Sequence, residues 1–261
     1  MKRWRDAELA SAPAEPSPAD PSWADRTDQL RAAGNLKGAR ALCLQALTAL
    51  GENAGILWRA ARAEADWVLI LRGQEGNTDE RNMATASGLD YARRAVEAAL
   101  AAVRAAEAAD GANLDLIQAR AWLSYSLGGT THLLPMGERS ARAHATIAAA
   151  EQALEVDGSH PVALSTLATV HLRIATLPWI AKLMASDLPE CSLDEAVEFA
   201  RRAGERSLGI GPRLLLAKAL LAKGEDAEAR AVLEEVREAP DRDPRDALLR
   251  PGAEALLAEQ D

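Results

Sequence analysis

The stretch WADRTDQLRAAGNLKGARALCLQALTAL, residues 23–50, decides the fold. It predicts two helices, from about residue 23 to 33 and from 36 to 50, because apolar residues recur at helical spacing on both sides of a Gly-Asn pair. Gly34 suits the left-handed position of a tight turn, and Gly51 suits the end of the second helix. The stretch therefore predicts a helical hairpin.

In the second helix of this hairpin, two small or apolar residues lie seven positions apart, and a third lies four positions after the first. The three residues share one face of the helix and form a stripe. The same stripe recurs along the chain, and the hairpin resembles a tetratricopeptide repeat. We therefore predict an all-α protein, a right-handed α-α superhelix (tetratricopeptide-like solenoid) of about five irregular helical hairpins. The five stripes are Ala39/Cys43/Ala46, Ala92/Val96/Ala99, Thr146/Ala150/Ala153, Ala196/Ala200/Ala203 and Ala229/Leu233/Val236.

The stripes are not evenly spaced. Their first members are 53, 54, 50 and 33 residues apart, and only the last interval matches the period of roughly 34 residues. Long connections in a compact protein are usually functional or disordered. We expect the additional residues in a long helix at about 56–71, a polar loop at 73–86, a long helix from near 89 to 110, a loop at 128–139, and the segment 177–192, which is apolar enough to pack back on the array.

Composition restricts the function. The net charge is −9 and basic residues are interspersed with acids, so a nucleic-acid partner is not expected. No apolar run reaches the roughly 20 residues of a membrane span, and no export signal is evident, so we expect a cytoplasmic protein. Cys43 and Cys191 are predicted to be reduced core thiols. Residues 1–22 are predicted to be a flexible Pro/Ala-rich tail, and 23–261 the helical repeat domain.

The first helix of each hairpin should line a concave groove. The side chains predicted to face it have mixed charge and include two aromatics, which suits a peptide or a partner helix better than a polyanion. The alternative is that these side chains only solvate the groove. The candidates are Asp28, Arg31, Trp58, Arg62, Asp66, Tyr125, Ser165, Thr169, Arg173 and Lys218.

A small-molecule pocket is a second candidate site. Trp179 and Met184 of the segment 177–192 could close a pocket at the end of the groove, and His132 lies in the loop 128–139 beside two hydroxyl side chains. The alternative for Trp179 is that it caps the core, with its indole N–H bonded to a carbonyl.

Catalytic and metal motifs are missing from the sequence. It contains no Gly-rich phosphate loop, no H-E-x-x-H, no paired cysteines and no nucleophile elbow, so we predict no enzyme, cofactor or metal site. An enzyme using His132 with Glu138 is the alternative. His160 precedes Pro161 and predicts a helix start, whereas His171 is predicted to be a core residue.

The second half of the chain carries a more particular pattern. It resembles the regulator of microtubule dynamics family and its bacterial relatives over about residues 40–259. The resemblance implies an all-helical, non-enzymatic adaptor, and some animal members associate with microtubules or organelle membranes. The Ala- and Arg-rich, Lys-poor composition is typical of a bacterial gene. The residues that carry the resemblance are Leu177-Pro178-Trp179, the breaks at Pro189 and Ser192, Asp194-Glu195-Ala196, Phe199, and the upstream stretches LDYARRAVEAAL (89–100), ARAWLSYSLGG (119–129) and ALEVDGSHP (153–161).

These observations predict a cytoplasmic, non-enzymatic scaffold that binds a protein or peptide partner in the concave groove of the solenoid. The alternative is a small-molecule-binding protein, similar to the tetratricopeptide component of some tripartite solute transporters.

Overall fold

The computed structural model describes residues 22–51, 54–72, 86, 90, 114–131, 134–184 and 187–260. Within these residues it contains eleven α-helices and no β-strand, which confirms the all-α prediction for this part of the chain. The chain divides into two compact units, Met1–Ala119 and Arg120–Asp261, called unit 1 and unit 2 below. The right-handed superhelical arrangement stays a prediction.

Unit 1 contains the hairpin that the opening stretch predicts. Helix α1 spans Trp23–Ala32, α2 spans Leu36–Leu50 and α3 spans Ala54–Arg72. The turn between α1 and α2 contains Gly34 with φ +77°, a left-handed conformation that glycine adopts without steric cost. Asn35 caps α2, because its side-chain oxygen accepts a hydrogen bond from the Gly38 N–H at 2.8 Å. Both helix boundaries of the predicted hairpin are confirmed to within one residue.

Eight helices follow in chain order. Their bounds are Leu114–Thr130 for α4, Met136–Leu154 for α5, Pro161–Ala175 for α6, Trp179–Met184 for α7, Leu193–Arg206 for α8, Gly211–Lys223 for α9, Asp226–Glu238 for α10 and Asp246–Ala258 for α11. Helix α4 starts in unit 1 and continues into unit 2, where α5 packs on α6, α6 on α8, α8 on α9, α9 on α10 and α10 on α11. Helix α6 also contacts α9, and α9 contacts α11.

The predicted stripes form the core. Every stripe residue that the structure describes is buried, because small side chains let neighbouring helices approach closely. The stripe at 92–99 lies outside the described residues, as do most of the loop at 73–86, the helix near 89–110 and residues 1–21 of the predicted tail. The exposed fractions do not exceed 3% in α2 and are 0% in α5, α8 and α10, for Ala39, Cys43, Ala46, Thr146, Ala150, Ala153, Ala196, Ala200, Ala203, Ala229, Leu233 and Val236.

Two helix starts in unit 2 follow from local sequence. Pro161 is the first residue of α6 and follows His160, as predicted. Ser192 caps α8: its hydroxyl oxygen accepts from the Glu195 N–H at 3.2 Å and its hydroxyl lies 2.8 Å from Glu195 Oε2. The predicted core residue His171 is 6% exposed, and its Nδ1 accepts a hydrogen bond from the Ser192 N–H at 3.4 Å.

The predicted loop at 128–139 is wrong at both ends, because α5 already begins at Met136. Helix α4 continues through Gly128 to Thr130, and the Thr130 hydroxyl donates to the Ser126 carbonyl oxygen at 2.9 Å. A side chain at Gly128 would lie 3.4 Å from the Thr146 methyl carbon of α5, so a small residue at this position allows α4 and α5 to pack closely. The sequence reasoning also missed α11, which packs against α10 and α9.

Candidate functional site

Four predicted groove residues of unit 1 pair with one another instead of facing solvent. Asp28 of α1 accepts hydrogen bonds from Arg59 Nε, at 3.0 Å, and from Arg62, both on α3. One turn later on α1, the Arg31 Nε donates to Asp66 of α3 at 2.7 Å. These contacts therefore join α1 to α3.

The ion pair between Arg31 and Asp66 is largely shielded from water, whereas the Asp28 side chain is 38% exposed. Asp66 is 1% exposed, and the side chains of Arg31 and Arg62 keep 14% exposure each. Burial favours a raised pKa for Asp28, but hydrogen bonds and charges from Arg62 and Arg59 outweigh it and lower the pKa. Burial lowers the pKa of Arg62 in spite of Asp28. The prediction that Asp66 faces the groove is therefore wrong, because its carboxylate is buried and pairs with Arg31 inside unit 1.

Trp58 is also buried, at 6% exposure. Its indole N–H donates to Asp115 Oδ1 at 2.8 Å, and the guanidinium carbons of Arg59 and Arg62 lie 4.2 Å and 5.0 Å from the centre of its ring. Such cation–π contacts neutralise part of the cost of burying the two arginines. The Trp58 ring therefore packs against two arginines of α3 inside unit 1. This corrects the prediction that Trp58 lies on the groove surface.

A further ion pair joins α2 to α3, and it was not predicted from the sequence. Arg40 Nε donates to Glu64 Oε1 at 2.9 Å, and Glu64 is 1% exposed. The signal was available, because Arg40 and Glu64 are charged residues on otherwise apolar helix faces. Nearby, Cys43 is buried as predicted, and burial raises the pKa of its thiol to about 12. The thiol is therefore protonated at neutral pH, as expected of a packing residue.

Three predicted groove residues of unit 2 are half-buried. The ring of Tyr125 meets the Trp122 ring edge-on, with 5.4 Å between ring centres. The Thr169 hydroxyl donates to the Ser165 carbonyl oxygen within α6, at 2.8 Å. Each of these contacts lies within a single helix, α4 or α6. All three side chains stay partly exposed.

Arg173 and Lys218 are the exposed pair among the predicted groove residues. Arg173 lies in the last turn of α6 and its Nη1 donates to the Gly128 carbonyl oxygen at 3.3 Å. Lys218 lies on α9, the neighbour of α6, and no hydrogen bond or ion pair holds its ammonium among the described residues. Partial burial lowers the pKa of Lys218, and the charge of Arg173 lowers it further. The two helices therefore bring like charges close together at a surface.

The predicted pocket is not formed by the described residues. Trp179 is 73% exposed, so it neither caps the core nor closes a cavity there. Met184 is the last residue of α7, but its side chain and all of His132 lie outside the described residues. A ligand pocket that includes them stays a prediction.

The segment 177–192 also differs from its prediction. It contains the short helix α7, and Trp179, Ile180 and Leu183 are 73%, 54% and 72% exposed. The expectation that this segment buries its apolar side chains against the helices is therefore wrong for these three residues. Its polar groups make the contacts instead, as the Lys182 ammonium donates to the Ala175 carbonyl oxygen at 2.8 Å.

The part of the chain that the structure describes has neither a metal-binding cluster nor a membrane-spanning helix. It contains no cluster of three or more His, Cys, Asp or Glu side chains that could hold a metal ion. None of its helices combines the length and the apolar character required to cross a membrane.

Comparison with known proteins identifies the family. The sequence model described as Regulator of microtubule dynamics protein 1-3 matches residues 23–260. No curated protein sequence matches significantly. The match includes both units and every described helix. The chain therefore belongs to the regulator of microtubule dynamics family.

Proposed function

We propose that this protein is a non-enzymatic helical-repeat scaffold of the tetratricopeptide type, which binds a protein or peptide partner on helices α6 and α9. The observation that carries the proposal is the exposed pair Arg173 and Lys218. Helices α6 and α9 contain no Asp or Glu, so the two cations share a layer that has no acidic side chain of its own. Such a layer attracts carboxylates.

The partner is a protein segment with acidic side chains. A net charge of −9 opposes binding to nucleic acid, because a long, dense polyanion interacts with the charge of the whole protein. A short acidic segment is small enough to contact only the surface around Arg173 and Lys218. The proposal includes no cofactor and no membrane span, and it retains a cytoplasmic location for the protein.

Unit 1 is not the proposed surface, although four predicted groove residues pair there. Asp28 pairs with Arg59 and Arg62, and Arg31 pairs with Asp66. A partner would have to break these partly buried pairs, at a cost of several kcal/mol for an isolated buried charge. Charge reversal at Arg62 would therefore change stability and binding together, and it makes an unsuitable test.

The test uses Arg173→Glu and Lys218→Glu. A display library of random 16-residue peptides is selected on the wild-type protein, and the affinities of the selected peptides are measured by fluorescence anisotropy. Each variant should weaken binding at least tenfold, about 1.4 kcal/mol, because it places a carboxylate against the acidic peptide. The thermal melt by circular dichroism should not change, since both side chains are exposed.

Arg237→Glu is the matched control, because Arg237 is an exposed arginine on α10, the helix that follows α9. It should leave the affinity of the peptides unchanged. The proposal fails if no peptide is selected on the wild-type protein, or if Arg173→Glu and Lys218→Glu bind the selected peptides as tightly as the wild type does.

A further inference from the structure

Helix α7 presents a concentrated apolar face. Among the described residues, eight large apolar side chains are exposed, and three of them, Trp179, Ile180 and Leu183, lie within five residues. The other five are scattered along the chain. Residues 179 and 183 are four positions apart, and residues 180 and 183 are three positions apart, so all three lie on one side of the helix. Contiguous exposed apolar patches mark interaction sites more often than scattered residues do.

The segment that carries α7 is held by polar contacts. Lys182 Nζ donates to the Ala175 carbonyl oxygen at 2.8 Å. The Asp187 carbonyl oxygen accepts from the Ser140 hydroxyl and lies 3.0 Å from His144 Nε2, both on α5. The segment is therefore tied to α6 through Lys182, within the apolar face, and to α5 through Asp187, after it. If the apolar side chains served only to pack the segment, burial would have turned them inward.

Cations adjoin the apolar face. Lys182 belongs to α7, and its contact with Ala175 ties α7 to the end of α6 that carries Arg173. Like α6 and α9, α7 contains no Asp or Glu. The apolar face therefore has the cation Lys182 within its own helix and the cation Arg173 in the last turn of the helix that Lys182 contacts.

We propose that Trp179, Ile180 and Leu183 dock the apolar side chains of a short acidic amphipathic segment of a partner protein, while Lys182 and Arg173 meet its carboxylates. This inference rests on the proposed function and names the chemistry of its partner. Tryptophan and arginine are the side chains most often found at the energetic centre of protein interfaces.

Two other occupants fit the surface less well. In a symmetric dimer the same face meets itself, so the cations Lys182 and Arg173 of both copies would enter one interface without carboxylates from α6 or α7. An anionic bilayer would cover the whole surface around α7, including the exposed Asp187 and Glu190 that follow it. A peptide segment avoids both repulsions, because it places its carboxylates over the cations alone.

The test extends the peptide selection to a double variant, Trp179→Ser with Leu183→Ser, and to Trp179→Ser alone. We expect the selected peptides to combine apolar residues four apart with several acids. They should bind the double variant at least tenfold more weakly than the wild type, and the single variant at least threefold more weakly. Replacing the Glu and Asp of the peptide by Gln and Asn should also weaken its binding to the wild-type protein at least tenfold.

Leu208→Ser is the matched control, since Leu208 is 68% exposed but lies between α8 and α9. It should change the affinity less than twofold. Unchanged thermal melts would show that all variants fold, as the high exposure of the replaced side chains leads us to expect.

Three results would overturn this inference. Peptides that lose affinity for Arg173→Glu but bind the double variant like the wild type would leave the proposed function standing without the α7 site. Vesicles of phosphatidylglycerol that bind the wild type and not the double variant would assign the face to lipid. A dimer detected by sedimentation and lost in the double variant would assign it to a second copy.

Discussion

Asp246 shows how a single buried side chain can organise a connection. It is 1% exposed and begins α11. Its carboxylate accepts hydrogen bonds from the backbone N–H groups of Ile210, Arg242 and Asp243, each at 2.9 Å. The carboxylate therefore fastens the start of α11 to the residue before α9. A charged acceptor in such a position satisfies three donors that water cannot reach freely.

We predict that Asp246→Ala lowers the free energy of unfolding by about 3 kcal/mol, because it leaves buried N–H groups without an acceptor. Urea denaturation of the full chain measures the change. Glu254→Ala is the control: Glu254 is exposed on the same helix, and its removal should cost less than about 0.5 kcal/mol. Equal effects of the two substitutions would contradict the role assigned to Asp246.

The burial of the charged residues of unit 1 could not be predicted from the sequence. Spacing placed Asp28 and Arg31 on one side of α1 and Arg62 and Asp66 on one side of α3. It could not show that these two sides face each other, because that depends on how the helices cross. The assignment to a groove surface therefore included Asp66, which the fold buries.

Helices and their ends were the most predictable feature of this chain. The caps depend on residues within one turn of the helix end, so Asn35, Ser192 and Pro161 indicated their helix starts from local sequence. The end of α4 was mispredicted because Gly128-Gly129 suggested a loop. In the structure Gly128 faces α5, and contact between helices rather than local preference decides its conformation.

A pair of glycine substitutions tests the helix ends. Gly224 follows α9 with φ +79°, so Gly224→Ala should destabilise the protein by about 1 kcal/mol, because alanine is strained in this conformation. Gly252 lies inside α11 with nothing within 4 Å of an added Cβ. Gly252→Ala should therefore stabilise it by about 0.5–1 kcal/mol. Thermal melts of both variants measure the difference, and a shift of the same sign in both would refute this interpretation.

Both units bury stripes of small residues, and unit 1 adds partly buried ion pairs between its helices. Unit 1 joins its helices through ion pairs that involve Asp28, Arg31 and Arg40 with α3. Unit 2 relies on stripes of buried small residues, as in α8 and α10. Removing one member of a partly buried ion pair leaves the other charge without compensation, so each member matters for stability. Contacts of small apolar side chains are numerous and individually weak.

We predict that Asp28→Asn destabilises unit 1 selectively. The change leaves Arg59 and Arg62 without their common carboxylate, and we expect a loss of about 2 kcal/mol, below the range for a fully buried pair, because the Asp28 side chain is 38% exposed. Amide hydrogen exchange should accelerate in α1 and α3 and stay unchanged in α8 and α10. Exchange that accelerates equally in all four helices would show that unit 1 has no independent stability.

The sequence by itself determined the helical class, the buried stripes, most helix ends and the family resemblance, because each depends on residues close together along the chain. Only the tertiary structure decided which charged side chains remain at the surface. Asp66 and Trp58 are buried because α1, α3 and the start of α4 meet around them. Trp179 is exposed because polar contacts hold α7 in place while its apolar face points to solvent. Burial is a property of packed helices, and a sequence pattern indicates which residues share a face but not what covers that face.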